Sequence, residues 1–516
     1  QQHQQQQQQP PPTSSGPATA LPPPPLVGTQ PPASEPPQWE APQQQRPYQE
    51  PGSLEADVDR FLTEGKALLT SSGLLYPPPL NLEEEGLAKA AALGGRRAWG
   101  DVLQVTNECL HSAMSPHAPL YSSLLQESDM GYFEFDALRA SETAELIALR
   151  ILAMLQLRRY VDLGQLVEKI DIIPSADETA KRETPSWIPW GLKILAAETL
   201  QYTDKPQRCI DTLYFLRSKL KESKVKSWIG KIDNALANAF VRQQEWRLAI
   251  TSYQLLLEQS LPILAPAQAQ LLLEKAKTES VPVSLENNES SVSDALYAAL
   301  EIEILSRQGR ILLQVGALEE ASVVFDTAAN AMQRLEDTGI TIEFMSKSLA
   351  IQQAPAQVLL NEGLLQFSNH TYASAMESFT RALEWLSQPK GGTNKRKSNL
   401  GTGNLLLLYN PSTIAQDVLG PGITCDSNHN VMTECLNNLA LCALYQCQMH
   451  KAVNNMESLV RQNPTLYLTE GLVFNLCTLY ELGSDTADSG RKKRVLQSIA
   501  KRFFLHDIGP ESFRIT

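Results

Sequence analysis

No stretch of this 516-residue chain approaches the ~18 consecutive apolar residues of a membrane span. Cys-x-x-Cys, G-x-S-x-G, H-E-x-x-H and dinucleotide-binding fingerprints are all missing. Those absences set aside a membrane-inserted protein and the commonest hydrolase and dehydrogenase sites. Cysteine is scarce too: the seven residues form an odd set, five of them after residue 420, which points to a reducing cytosol instead of a disulfide scaffold. Positive charge is in deficit. With 44 Lys and Arg against 57 Asp and Glu, the net charge of −13 and pI near 5.2 repel phosphate backbones and anionic lipid. No nucleic-acid partner and no direct membrane insertion are expected. Seven scattered histidines form no acid/base constellation.

What is present begins with bias. Residues 1–50 hold 14 Gln and 14 of the 33 Pro, with no apolar face to bury, so 1–53 is expected as a disordered segment. Such a start cannot be a signal-peptide core, although the first residue is Gln and an address could precede it. Beyond it, apolar residues recur at helical spacing almost to the C-terminus, with no run of alternating strands. The fold class is all-α. Polar, Gly- and Pro-containing stretches predict insertions near 277–293 and 388–430, and 483–516 is expected as a polar, basic tail.

Self-similarity is the strongest signal. Leu305, Gly309, Leu312, Gly316, Leu318, Ala321, Phe325 and Ala328 follow the large/small pattern of a tetratricopeptide repeat, in which small residues let two antiparallel helices approach and large ones fill the gap. Parallel copies contain Ala237, Ala249 and Tyr253; Gly363, Ala375 and Phe379; and Ala440, Ala452 and Met456. The key alanines lie 72, 54 and 77 residues apart instead of about 34. An α-solenoid with loop insertions is therefore expected, with repeats over 229–482. Degenerate hairpins over 54–228 precede them: one within Leu87 to Leu110 turning at Gly94-Gly95, one within Glu142 to Ile170 bent at Arg158, and one from Trp190 to Lys219.

Candidate chemistry is thin. Cys425, His429, Cys435, Cys442 and Cys447 do not pair at zinc-finger spacing, and Cys435 and Cys442 suit a helix core. Gly391 to Ser398 lacks the order of a P-loop and is expected as a solvated basic loop. Arg491-Lys492-Lys493-Arg494 is a surface cluster with a nuclear signal as the alternative, and Asn369-His370-Thr371 is a formal glycosylation sequon in a repeat turn. Catalytic, cofactor-binding and metal residues are expected to be none.

A binding surface remains. The positions of the first helices expected to face the groove are Lys231, Asn234, Asn238 and Val241; Glu303, Ser306, Arg310 and Leu313; Gln357, Leu360, Leu364 and Phe367; and Glu434, Asn437, Leu441 and Leu444. The apolar end, Leu360, Leu364, Phe367, Leu441 and Leu444, is the candidate protein-binding site, and its occupant is either a partner segment or an intramolecular helix near 466–482.

Particular wording adds to the repeat. Leu305 to Gly316, Asn437 to Pro464, Ser186 to Leu195 and above all Tyr467-Leu468-Thr469-Glu470-Gly471-Leu472-Val473-Phe474-Asn475 through Leu482 resemble the subunit-twelve family of the TRAPP (transport protein particle) complex, over about residues 85–482. The insertions, the Gln/Pro start and Phe503 to Thr516 have no counterpart in that resemblance. It implies a non-catalytic scaffold subunit of a vesicle tethering complex that promotes nucleotide exchange on a Rab GTPase in endoplasmic reticulum to Golgi transport and autophagy. Its partners would be other TRAPP subunits, especially the large complex-specific ones, with the GTPase reached only indirectly. The location implied is cytoplasmic and peripheral at the ER–Golgi intermediate compartment and Golgi; some members also have a mitotic role. The alternative is a generic tetratricopeptide adaptor of co-chaperone type, against which the carboxylate-clamping Lys and Asn pattern is missing.

Overall fold

The computed structural model describes residues 53–63, 86–95, 97–113, 133–170, 188, 190–203, 206–222, 228–278, 289–339, 349–387 and 431–514. Among them every regular element is helical. The expected disordered start, the basic loop at 391–398, Cys425 and the insertion at 388–430 lie outside the described residues.

The helices are α1 Leu54–Thr63, α2 Gly86–Gly95, α3 Trp99–Ala113, α4 Phe133–Gln156, α5 Tyr160–Ile170, α6 Trp190–Thr199, α7 Pro206–Glu222, α8 Ile229–Arg242 and α9 Trp246–Leu255. They continue as α10 Leu261–Thr278, α11 Glu289–Gln314, α12 Leu318–Asp337, α13 Leu349–Ser368, α14 Tyr372–Ser387, α15 Val431–Tyr445, α16 Met449–Gln462, α17 Glu470–Gly483 and α18 Thr486–Arg502. Helix α11 starts at Glu289, so the last residues of the insertion expected near 277–293 are helical.

One spacing rule builds the array. Seven hairpins, α2/α3, α4/α5, α6/α7, α8/α9, α11/α12, α13/α14 and α15/α16, carry a residue on the first helix that is buried at the crossing: Ala90, Ile151, Ala197, Ala237, Gly309, Gly363 and Ala440. Twelve positions on, the second helix supplies Val102, Leu163, Cys209, Ala249, Ala321, Ala375 and Ala452, each fully enclosed. Sixteen positions on come Thr106, Val167, Leu213, Tyr253, Phe325, Phe379 and Met456, also buried. The spacing is steric in origin. A Cβ on Gly309 would stand 2.1 Å from the Phe325 ring, and one on Gly363 2.4 Å from Phe379, so the aromatic residue occupies the volume that glycine vacates.

The turns repeat as well. Seven positions after the crossing residue the backbone is left-handed in six hairpins, at Arg97, Arg158, Gln244, Gly316, His370 and Cys447. In each, that residue's N–H bonds the carbonyl three back and the next N–H the carbonyl five back, at 2.8–3.1 Å, a Schellman stop. The left-handed residue of the first hairpin is thus Arg97, two positions beyond the Gly94-Gly95 turn expected from sequence.

The C-terminal stretch differs from the expected polar tail. Asp485 caps α18 by accepting from the Asp488 N–H at 2.8 Å, and Val495, Leu496, Ile499, Ala500 and Phe503 bury one face. The basic cluster is held from inside the fold. Arg491 pairs with Asp57 at 2.6 Å, Lys492 with Asp488 at 2.8 Å, and Lys493 with Glu481 and, at 2.9 Å, the Arg514 carbonyl.

Residues Gly52–Thr516 belong to one compact unit with three buried apolar clusters. The first extends from Ala90 to Ile311, the third joins α10, the start of α11, the end of α12 and the start of α13, and the second collects α13 to α18. Helix α1 belongs to the second: Val58 and Leu62 are buried in it, although the sequence places them first.

Candidate protein-interaction surface

Several positions expected to face an open groove instead meet a residue of another helix. Asn234 on α8 accepts from Arg307 on α11 at 3.5 Å, Ser306 on α11 accepts from Asn361 on α13 at 2.7 Å, and Asn437 on α15 accepts from Asn475 on α17 at 2.8 Å. In the first two pairs the partners stand three positions before the crossing residue of one copy and two before that of the next. Lys231, Asn234, Ser306, Gln357 and Asn361 are accordingly buried, not groove-lining. Gln357 bonds Asn361 at 3.1 Å, and Asp233 holds both Arg217 at 2.5 Å and Ser260 at 3.0 Å. Burial works against the Arg307 charge, but Glu303 at 2.8 Å and Tyr253 outweigh it and hold the guanidinium ionised. Such buried polar contacts help to set which helix lies beside which.

The rung joins α8, α11 and α13; in the earlier hairpins the same positions are apolar, as at Leu149, Leu195 and Ala235, and it stops again after α13. At the equivalent position of α13 stands Leu360, with no exposed surface, and Asn438 of α15 turns back to the Glu434 carbonyl of its own helix at 2.9 Å. Leu360 is therefore a core residue, which removes it from the expected binding set: apolar character at a ladder position reflects the neighbouring helix against it.

The other four expected residues are half-buried. Leu364, Phe367 and Leu444 pack on the second core with one side outward, and Leu441 is also partly exposed. Around Phe367 the structure gathers rings that sequence reasoning did not assign to the site. Tyr372 and Tyr445 stack at 4.9 Å and 12°, and Phe367 meets them edge-on at 5.4 and 5.5 Å. His370 Nδ1 lies 3.0 Å from the Tyr372 hydroxyl, and Tyr445 is 58% exposed. The result is an aromatic ledge at the turn end of α13, α14 and α15. Its signal was present as Tyr445 beside Leu444, but helical periodicity alone placed Tyr445 off the groove face. Helix α17, the expected intramolecular occupant, reaches the neighbourhood through Asn475.

Among the described residues no group of three His, Cys, Asp or Glu is placed to hold a metal, and no helix is long and apolar enough to cross a membrane. Burial pushes the thiols up, Cys209 and Cys477 to about 12 and Cys442 to about 11, away from the range of a nucleophile.

No protein-family model matches the chain. The curated protein named trafficking protein particle complex subunit 12 in Mus musculus is 25% identical over 321 residues, 61% of this chain and 31% of that protein. The Homo sapiens protein of the same name is 24% identical over 342 residues, 61% of this chain and 34% of its own length. The chain thus spans about a third of the length of the curated relatives it matches. Among solved structures, a Rap protein complexed with competence and sporulation factor is 10% identical, covers 81% of this chain and 90% of its own, and superposes with a TM-score of 0.32, a likeness that carries no argument. Over about three fifths of its length, then, this all-α tetratricopeptide-type array is similar to subunit 12 of the trafficking protein particle complex of mouse and human.

Proposed function

We propose that the chain is a non-catalytic scaffold subunit of a TRAPP-type tethering and Rab nucleotide-exchange complex. The similarity to the two curated subunits carries this reading. The buried ladder supports it, since it spends the interior on joining hairpins and leaves the outer surfaces for other proteins. On this reading the chain joins the large complex-specific subunits to the rest, acts in endoplasmic reticulum to Golgi transport and autophagy, reaches the GTPase only through other subunits, and works in the cytoplasm at the Golgi and intermediate compartment. Its contact site is the aromatic ledge with Leu364, Phe367, Leu441 and Leu444.

Affinity purification of the full chain with mass spectrometry tests the reading: TRAPP subunits are expected under mild conditions, and their absence would sink it. The ledge is tested separately by Tyr445→Asp and Leu441→Asp, whose side chains are exposed or half-exposed and leave the core unaltered. Loss of a subset of subunits with unchanged circular dichroism is expected; retention of all of them moves the contact elsewhere.

A further inference from the structure

The two ends of the array meet. Arg97, in the turn of the first hairpin, donates Nε and Nη2 to Asp507 at 2.8 and 2.6 Å and Nη1 to the carbonyls of Thr465 and Leu468 at 3.0 Å each. The Gly100 N–H donates to His506 Nδ1 at 3.1 Å. In the turn of the second hairpin, Arg158 pairs with Glu470 and, at 2.6 Å, with Glu511, while Ser512 donates to Glu470 at 2.9 Å. The arginine contacts join residues more than 300 positions apart.

The junction lacks the shared apolar residues that link the three clusters elsewhere. From the first cluster to the third the connection runs along α11, with Tyr297 and Ala350 packed against both; from the third to the second it runs along α13. Between α2–α5 and the 465–514 region, no buried apolar cluster is shared among the described residues. Leu505, Ile508 and Phe513 are committed to the second core, and Trp99 and Val102 to the first. Arg158 and its partners are 42–57% exposed, so they contribute little and weaken with salt. The more enclosed Arg97–Asp507 pair regains hydration when parted, which offsets most of what its attraction supplies.

We propose that this seam is a gate: an electrostatic joint between α2–α5 and the 465–514 region, which opens and recloses while all three apolar cores stay intact. Opening separates the first two hairpins from residues 465–470 and 503–514, changing the spacing of the surfaces on either side. It also exposes the Arg97 and Arg158 guanidiniums.

Hydrogen exchange on the full chain, read by mass spectrometry at about 0.05 M and about 1 M NaCl, tests the gate. Peptides covering 97–110 and 505–514 are expected to exchange at least ~5-fold faster in high salt, with the α11/α12 hairpin unchanged. Arg97→Gln with Arg158→Gln should produce the same pattern at low salt. Salt-independent exchange at the seam, or acceleration spread equally through α11–α14, would overturn the proposal. A second variant guards against misfolding: a Cβ on Gly100 would lie 3.0 Å from His506 Nδ1, so Gly100→Cys with His506→Cys places two thiols within bridging reach. The oxidised form should lose the salt response and regain it on reduction; a salt response that persists with the bridge formed refutes the gate.

Discussion

Gly309 and Gly363 show most directly how a residue choice becomes a fold. Each vacates the space into which a phenylalanine sixteen positions later inserts its ring, and neither ring has room to withdraw. Gly309→Ala or Gly363→Ala should therefore destabilise by about 1–3 kcal/mol, read as a lowered urea midpoint, although alanine favours the helix. At the same position Ala237 stands sixteen residues before Tyr253 and Ala440 sixteen before the unbranched Met456. The left-handed turn residues behave inversely. Only Gly316 among the six turn residues lacks a side chain, so Gln244→Gly should raise the midpoint, by a few tenths to about 1 kcal/mol, through relief of backbone strain. Arg97 and Arg158 sit in the same strained conformation, and their guanidiniums are the seam donors.

At the scale of elements, polar contacts help to set how the α8, α11 and α13 hairpins follow one another. Asn361→Ala removes the donor to Ser306 and the acceptor of Gln357 inside the array, and a loss of about 1–3 kcal/mol is expected, measured by the same unfolding midpoint with exchange rising first in α11 and α13. Leu360, by contrast, tests nothing about partners, since any polar substitution there breaks a core. These contrasts explain how much of the fold is legible in the residues alone. The twelve- and sixteen-residue spacings are legible because they are set within one hairpin by helix pitch and side-chain size. The burial of Lys231, Ser306 and Leu360 is not, because it depends on how closely the next first helix approaches. Helix α18 escapes a reading by charge, although its Asp485 cap and its Val495, Leu496, Ile499 stripe are written in the sequence. Its basic residues resemble a solvated tail, and the partners of Arg491 and Lys493, Asp57 and Glu481, lie on other helices.

For the whole molecule, the contrast between apolar and polar junctions matters more than the number of hairpins. Cores that run continuously along α11 and α13 make the middle of the array the stable part, whereas the Arg97 and Arg158 seam is the place where salt or a competing charged surface acts. A scaffold built this way has a fixed interior ladder and one joint whose closure is set by ionic conditions. The sequence resemblance ends before residue 503, while His506, Asp507, Glu511 and Ser512 supply much of the seam, so this property could not have been carried over from relatives.

The docking of α1 has a consequence for the order in which the protein is made. Asp57, Asp59 and Phe61 bond to Arg491, Arg502 and Arg461, between 400 and 443 residues downstream. At synthesis rates of roughly 5–20 residues per second, α1 leaves the ribosome on the order of 20–90 s before its partners exist. Helix α1 is thus placed long after it is made, and the part of the second core that receives it closes only once residues 461–502 have been synthesised.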